Sequence, residues 1–512
     1  MIAIGLDYGT TNSLMAVYQE DMTSTRVIRV MKDSSYDDGK EYVRSPKRLL
    51  NDIHDLDEPK MIAYITGCVQ ALCGKLAKKG VNLSDVVFTI TVPNAFKDQQ
   101  CAFLKEAVVA ALKKSTENDM RPDSVHVLPE PVAAALYYAY SLRKSGERNQ
   151  TKYIIVSDMG GGTTDLAVVR VEMSPESLKF KVVCTEHDSH LGGDDIDLGI
   201  MDHFRKNYPL ADVPDKVLLP FCRHIKERLS VEEVVSDCLL SNEENGDELE
   251  MKMERRQLND IIVRYNYCRG KRFLDVYKKL LGRLRVSLSG VVDKTGMAFD
   301  TFVKDNCILL PVGGSSRVPV LRKALSDTFP NAGIFNMATE AGMPNAGLSK
   351  SNDEVPQYDS VSRGAAIHSA YQAKLITGFK GKIVVENRTM HKITINYAGD
   401  KLITCVPKSM PDGDDYVKVF RPKFLSGDGS TFTLQRLDFY QGGYEDVMDE
   451  DTQLMKSVVV EDKIYANGRK EEDIEVVLRF VISQGRLAKI KVFVENGCKD
   501  RSDYHKEVHL LG

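Results

Sequence analysis

From its first residues the chain alternates short apolar runs rich in β-branched side chains with longer stretches whose apolar positions recur every three or four residues. This is the pattern of strands alternating with helices in an α/β domain with largely buried sheets. Strands are clearest at residues 2–6, 86–92, 153–157 and 307–312. Helices are predicted over 61–79, 98–114, 131–144 and 360–374, several opening on an acidic residue, Pro or Ser suited to a helix start. After about Gly378 the period falls to two, as in 392–396 and 474–482, and Gly, Asp and Asn punctuate the runs, so the tail predicts an all-β domain. Hairpin turns are expected at Gly442-Gly443 and Gln484-Gly485, and the acidic stretch 241–250 is expected to be an exposed loop or hairpin tip.

A chain of 512 residues exceeds one hydrophobic core, which sets an expectation of two to four domains. The formal charge of −4 offers no basic field for a phosphate backbone, so nucleic acid is not an expected partner. The N-terminus has no basic, apolar leader pattern, and no stretch approaches the apolar length of a membrane span, so a cytoplasmic location and no membrane partner are expected. Ten cysteines lie scattered without a C-x-x-C pair, which argues for reduced thiols over a metal cluster, with Cys184 and Cys307 read as small buried hydrophobes.

The chain also repeats itself. The stretch from Ile4 through Asp7, Gly9, Thr10, Thr11 and Asn12 is echoed by Val156 through Asp158, Gly160, Gly161, Gly162, Thr163 and Asp165, with additional glycine in the second copy. A duplicated strand, aspartate, Gly-Thr turn and second strand implies two related half-domains. Each turn can aim backbone N–H groups at an anion, and Thr10, Thr11 and Thr163 add hydroxyl donors. Asp7 and Asp158 would repel phosphate directly, and make sense chiefly through a hydrated Mg²⁺ held between them. One such stretch alone is a common hairpin; the pair suggests a clamp for a nucleotide polyphosphate. A third turn, with Gly313, Gly314, Ser315 and Arg317, follows a buried strand. It is either an ordinary strand-to-helix turn or a place where a base approaches the backbone and Arg317 stacks on it.

These motifs, in this order, resemble the nucleotide-binding domain of the heat shock protein 70 (DnaK-type) chaperones, within the actin, hexokinase and chaperone ATPase fold. Gly5 to Ser13 is similar to the first phosphate loop, Ser45-Pro46-Lys47-Arg48-Leu49 to the segment carrying an essential lysine, and Thr91 to Phe96 to a strand-to-helix Val-Pro signature. Pro129-Glu130-Pro131 resembles the connecting motif, Asp158 to Asp165 the second phosphate loop, His190-Leu191-Gly192-Gly193-Asp194-Asp195 a family segment, and Gly313 to Arg317 the adenosine loop. The resemblance implies a two-lobed actin-like ATPase domain of duplicated ribonuclease H-like halves over 1–378. Lobe I would comprise about 1–150 plus 360–378, and lobe II about 151–359. A linker at 379–388, marked by Lys382-Ile383-Val384-Val385-Glu386, and a β-sandwich for extended peptides over 389–512 would follow. It implies ATP or ADP with Mg²⁺, with Lys47, Glu130, Asp158, Thr163 and Asp7 as catalytic residues and Asp7 and Asp158 meeting the metal through water. Gly192, Gly193, Lys226 and Ser230 join the loop residues in holding the nucleotide.

Departures from the family pattern accompany the match. Arg223 stands where a glutamate and Lys226 together grip ribose, Glu227 stands where some members place an arginine against adenine, and 337–357 has the character of an insertion near a weakly reproduced motif at Tyr358-Asp359. The implied activity is slow ATP hydrolysis that controls the binding of unfolded or extended polypeptide clients, with a J-domain co-chaperone and a nucleotide exchange factor as family-level partners. No helical lid pattern appears before Gly512, so fast client exchange is expected. The alternative is an actin-like, ATP-dependent scaffold or assembly switch whose tail docks one particular partner; a small-molecule kinase on the same fold is disfavoured by the lack of recognisable sugar-binding insertions.

Overall fold

The computed structural model of the chain describes residues 1–20, 25–33, 35–37, 42–43, 45–51, 56–94, 96–116, 124–144, 150–240, 248–264, 266–267, 270–334 and 359–376. In the tail it describes 381–386, 392–396, 402–407, 415–420, 426–427, 431–433, 436–441, 452–459, 463–465, 475–483, 486–495 and 505–509. The expected insertion at 337–357, Tyr358, and the turn residues 442–443 and 484–485 lie outside these. Two compact units emerge, residues 1–95 with 104–384 and residues 96–103 with 385–512.

The first unit opens with strands β1 (Ile2–Asp7), β2 (Asn12–Glu20) and β3 (Thr25–Asp33), then a short ribbon of β4 (Tyr36–Asp37) and β5 (Tyr42–Val43) and a 3-10 turn at Pro46–Asn51. Helix α1 (Glu58–Lys78), strand β6 (Val86–Val92), helix α2 (Asp98–Thr116), strand β7 (Val125–Pro129) and helix α3 (Glu130–Lys144) follow. The sheet order is β3-β2-β1-β6-β7, antiparallel across the first three strands and parallel from β1 to β7. All seven residues of β6 are buried, as a strand covered on both faces requires. Helix α1 begins three residues earlier than its apolar period predicts, because Asp57 caps it, accepting from the Lys60 backbone N–H at 3.2 Å, and Pro59 fits its first turn.

The second half repeats the plan. Strands β8 (Gln150–Met159), β9 (Thr164–Met173) and β10 (Ser177–Asp188) form an antiparallel meander, and β15 (Cys307–Val312) and β16 (Gly333–Ile334) continue from β8 in parallel. The order β10-β9-β8-β15-β16 mirrors that of the first sheet strand for strand, so the weak sequence echo marks a duplicated mixed α/β fold. Between β10 and β15 lie α4 (Gly193–Asn207), α5 (Asp215–Leu229), the hairpin β11 (Val234–Leu240) and β12 (Glu248–Glu254), and α6 (Arg255–Arg264). The ribbon β13 (Asn266–Tyr267) and β14 (Lys271–Arg272), α7 (Phe273–Val292) and α8 (Phe299–Asn306) complete that stretch. The acidic stretch at 241–250 thus falls at the β11–β12 junction, its residues 241–247 lying outside those described. Helix α7 buries Phe273, Tyr277, Leu280, Leu281, Leu284 and Leu288 along one stripe, and Cys307 joins that core while Cys184 is only partly buried against it.

After α9 (Pro319–Thr328) the chain returns to the first sheet as α10 (Ser360–Gln372). Ser369 Oγ donates to the Ile4 carbonyl at 2.7 Å, and a Cβ added at Gly5 would lie 2.2 Å from the Ser362 carbonyl oxygen, so this crossing admits only glycine. The run read as a linker is itself strand β17 (Lys382–Glu386), at the edge of the second sheet beside β10, with Lys382 N–H donating to the Glu176 carbonyl at 2.8 Å.

The described tail is all strand. Four strands run in the order Ile403–Val406, Ile393–Asn396, Arg436–Gln441 and Gln453–Val459; another four run Asp415–Phe420, Glu475–Ser483, Arg486–Glu495 and His505–His509; and Ser426–Gly427, Thr431–Thr433 and Lys463–Tyr465 form a third sheet. The neighbouring strands Thr431–Thr433 and Arg436–Gln441 fall in different sheets. Phe439 and Phe480, from the two larger sheets, are fully buried and meet edge to face with centroids 6.2 Å apart.

Candidate active site

Parallel strands end side by side, and the site lies beyond their carboxyl ends. Asp7 closes β1, Glu130 follows β7, Asp158 lies near the end of β8, and Gly313 follows β15. A cleft runs between the two halves. Its lining includes Asp7, Gly9, Thr10, Thr11, Asn12, Lys47, Glu130, Asp158, Gly160, Gly161, Thr163, Lys226, Ser230, Gly313, Gly314 and Ser315, so most of the residues singled out in the sequence share one cavity. Gly162, Gly192, Gly193 and Arg317 are not in the lining. Each of the three glycines has a neighbour closer than a Cβ would tolerate.

Lys47 is buried and donates to Glu130 Oε1 at 2.9 Å. Burial opposes its charge, but Glu130, Asp7 and Asp165 outweigh that cost and hold the ammonium's pKa above its ordinary value. The carboxylates respond the other way. Burial, then the negative charge of Glu130, push Asp7 up to about 7 against the pull of Lys47. Burial and the charges of Glu130, Asp7 and Asp165 drive Asp158 well above the usual carboxylate range. Four carboxylates thus share one lysine, a surplus of negative charge that calls for a further cation. Among the described residues no three His, Cys, Asp or Glu side chains are grouped to ligate a metal directly.

The glycines have distinct geometric duties. In the first loop a Cβ at Gly9 would fall 2.0 Å from the Asn12 carbonyl oxygen. In the second, a Cβ at Gly161 would lie 1.5 Å from Thr11 Oγ1, and one at Gly162 would lie 2.5 Å from both Arg48 Nε and Thr10 Cγ2. The two additional glycines of the second copy let the two loops touch. Gly192 and Gly193 then stack α4 under that loop, Gly193 N–H donating to the Gly160 carbonyl at 3.0 Å and Asp194 N–H to Gly161 at 2.7 Å. The third loop leans on the same point: Ser315 Oγ donates to the Gly160 carbonyl at 3.0 Å. Gly313, at φ 78°, has no room for a side chain, since its Cβ would lie 2.4 Å from the Met159 carbonyl oxygen.

At the far end of the cleft Arg223 and Glu227 both line the wall. The carboxylate beside Lys226 comes from Asp197 of α4, whose Oδ1 sits 2.7 Å from Lys226 Nζ, while Arg223 stands 3.7 Å from both Asp194 and Asp197. Sequence reasoning gave no role to Asp165, Asp194 or Asp195, although all three lie within its motifs, and did not single out Asp197. Asp165 had a signal: it closes the same hairpin that Asp158 opens, and the two are direct partners in the β8–β9 ladder.

Residues 62–334, more than half of the chain, match the family model described as Hsp70 protein; the match takes in Glu130, both later glycine loops and Lys226, and begins after Asp7 and Lys47. The chain is 28% identical over 283 residues to a heat shock cognate HSP70 protein of Trypanosoma brucei brucei, covering 53% of this chain and 35% of the relative. It is 25% identical over 443 residues to a chaperone protein DnaK of Metamycoplasma hominis, covering 79% and 64%. It is 27% identical over 381 residues to a chaperone protein HscA homolog of Shewanella piezotolerans, covering 64% and 54%. The chain thus spans between about a third and just under two thirds of the length of these relatives. With a family-model match over more than half its length and a duplicated fold that closes paired glycine loops on one acidic cleft, this chain belongs to the Hsp70 family.

Proposed function

We propose that the chain binds ATP in the cleft, hydrolyses it slowly, and uses the nucleotide state to set the affinity of its β tail, a peptide-holding sandwich, for extended polypeptide segments. The buried Lys47–Glu130 pair, set beside Asp7, Asp158 and Asp165 at the meeting of two glycine loops, carries this reading. Phosphoryl transfer to water needs placement and charge neutralisation more than a covalent group, and this arrangement supplies both.

Asp7 and Asp158 would hold Mg²⁺ through its waters, and bound there the ion neutralises phosphate charge. Backbone N–H groups of the two loops, with the Thr10 and Thr11 hydroxyls, hold the phosphate chain. Lys47, kept as an ammonium by its carboxylate neighbours, donates to the terminal phosphate. Thr163 orients the water whose oxygen bonds to the terminal phosphorus as the bond to the bridging oxygen breaks; the proton leaves with the inorganic phosphate and ADP remains. Glu130 fixes the Lys47 ammonium. The tail's main-chain edges can pair with an extended client strand, and J-domain and exchange-factor partners belong to the same proposal.

Titration calorimetry of the full chain with ATP, ADP and GTP in Mg²⁺, together with binding of an unfolded peptide in each nucleotide state, tests this. Micromolar or tighter ATP binding and a peptide affinity that shifts at least fivefold between ATP and ADP are expected. Absence of nucleotide heat rejects the site, and equal peptide affinities reject the coupling.

A further inference from the structure

The loop contacts leave one group of polar links that, Thr11 apart, the hydrolytic scheme does not use. Three side chains of the first half reach across to the second. Arg48, next to Lys47 in the 3-10 turn, donates through Nη2 to the Gly162 carbonyl at 3.0 Å and to Asp195 Oδ2 at 3.1 Å. Ser45 Oγ donates to Asp194 Oδ2 at 2.7 Å, and Thr11 Oγ1 to Asp194 Oδ1 at 3.4 Å. Both acceptors sit in the first turn of α4, and Asp195 Oδ2 also accepts the Gly192 N–H at 2.8 Å, fixing the Gly192–Gly193 turn that supports the second phosphate loop.

The segment that carries Lys47 is therefore pinned to the opposite half on both sides of the lysine, by Ser45 before it and Arg48 after it. Arg48 is about three-quarters buried and Asp195 about nine-tenths, so their ion pair is shielded from much of the solvent screening that weakens surface pairs. Gly162 has no side chain where Arg48 Nε and Thr10 lie, so the guanidinium can rest on the loop backbone. Apolar packing across a cleft tolerates sliding, whereas charged hydrogen bonds of this kind fix a register.

We propose that Arg48 is a positioning residue: with Ser45 it latches the Lys47 segment onto Asp194 and Asp195 of α4, setting how tightly the halves close and how fast nucleotide leaves. Opening the cleft requires these links to break together. Arg48 acts through Lys47 and the second loop. The inference rests on the nucleotide reading above for its kinetic part only.

The test is a double-mutant cycle on the full chain with Arg48→Ala, Asp195→Asn and the double variant, chosen because asparagine can still accept the Gly192 N–H. Release of a fluorescent ADP followed by stopped flow is expected to quicken about tenfold in each single variant, with the double variant no faster than either. Hydrogen–deuterium exchange of the nucleotide-free chain gives a second readout, with faster exchange expected over residues 45–51 and 192–195 in all three variants. Additive effects in the cycle, or release and exchange matching the wild type, overturn the latch. Loss of nucleotide binding by the wild type would instead overturn the nucleotide reading, and exchange would still decide the latch.

Discussion

The two halves of the first unit share a topology and divide the labour of the site unequally. At the mouth of the first hairpin Asp7 faces Leu14 across the ladder; at the mouth of the second Asp158 faces Asp165. The first half supplies the cation, Lys47, and its partner Glu130, and passes through a single glycine, Gly9. The second supplies paired carboxylates and three consecutive glycines with Lys226 and Ser315 packed behind them. A duplicated fold provides two facing acidic turns; specialisation then makes one turn a carrier of charge and the other a carrier of exposed backbone. Changing a charge should therefore matter most in the first half, while an added methyl group in the second tests the contact between the loops.

The largest effect is expected at the charge. Lys47→Ala should slow single-turnover ATP hydrolysis by about a hundredfold or more while ADP affinity changes by less than about threefold. Because the variant also leaves Glu130 buried beside no cation, Lys47→Ala with Glu130→Gln is the control, and it should recover stability without recovering rate. Hydrolysis surviving in Lys47→Ala would return the lysine to a purely structural role.

Next comes the acid limb of stability, set by a buried histidine in the first half. His368 of α10 contacts Thr89 at 3.0 Å and Gln372 at 3.2 Å, with His126 edge-on at 5.9 Å. Burial, helped by His126, lowers its pKa to about 4. The unfolded chain takes up that proton near pH 6.5 and the folded chain does not, so stability present above pH 6.5 is lost as pH falls toward 4, by roughly 3 kcal/mol. Asp7 works in the opposite sense, since its raised pKa means stability present below about pH 4 is lost as pH rises toward 7. The acid limb of urea unfolding should flatten in His368→Gln; an unchanged limb would assign it elsewhere.

The methyl group comes third. Gly161→Ala forces a Cβ into Thr11 and should weaken nucleotide binding about tenfold, whereas Gly160→Ala, with 3.8 Å of room, should change it by less than about twofold. Equal losses at the two positions would show that the loops do not touch as described.

The sequence carried the elements and the loops because both are local. Each β-branched run is short and bounded, and each Asp-x-Gly-Thr turn places its own N–H groups without help from elsewhere. What it did not carry depends on pairing at a distance. Asp165 becomes part of the site only once hairpin length sets it opposite Asp158, and Asp197 replaces the missing partner of Lys226 only because α4 and α5 pack together. Arg48 and Asp195 are 147 residues apart, and no periodicity links them.

The smallest effect concerns what braces each carboxylate strand from behind. In the first half Thr89, on the strand beside β1, is shared between His368 and Ser369, so loss of one hydroxyl leaves the others with partners. In the second half Ser157, immediately before Asp158, meets Tyr277 of α7 at 2.9 Å, both side chains buried. Tyr277→Phe keeps the ring packed and strips Ser157 of that hydroxyl. A loss of about 1 kcal/mol in urea unfolding at unchanged slope is expected, with nucleotide affinity within about twofold of the wild type. Thr89→Val should cost less than that, because Ser369 keeps the Ile4 carbonyl as an acceptor. If Thr89→Val proves the more damaging of the two, the first half, and not the second, relies on a single brace.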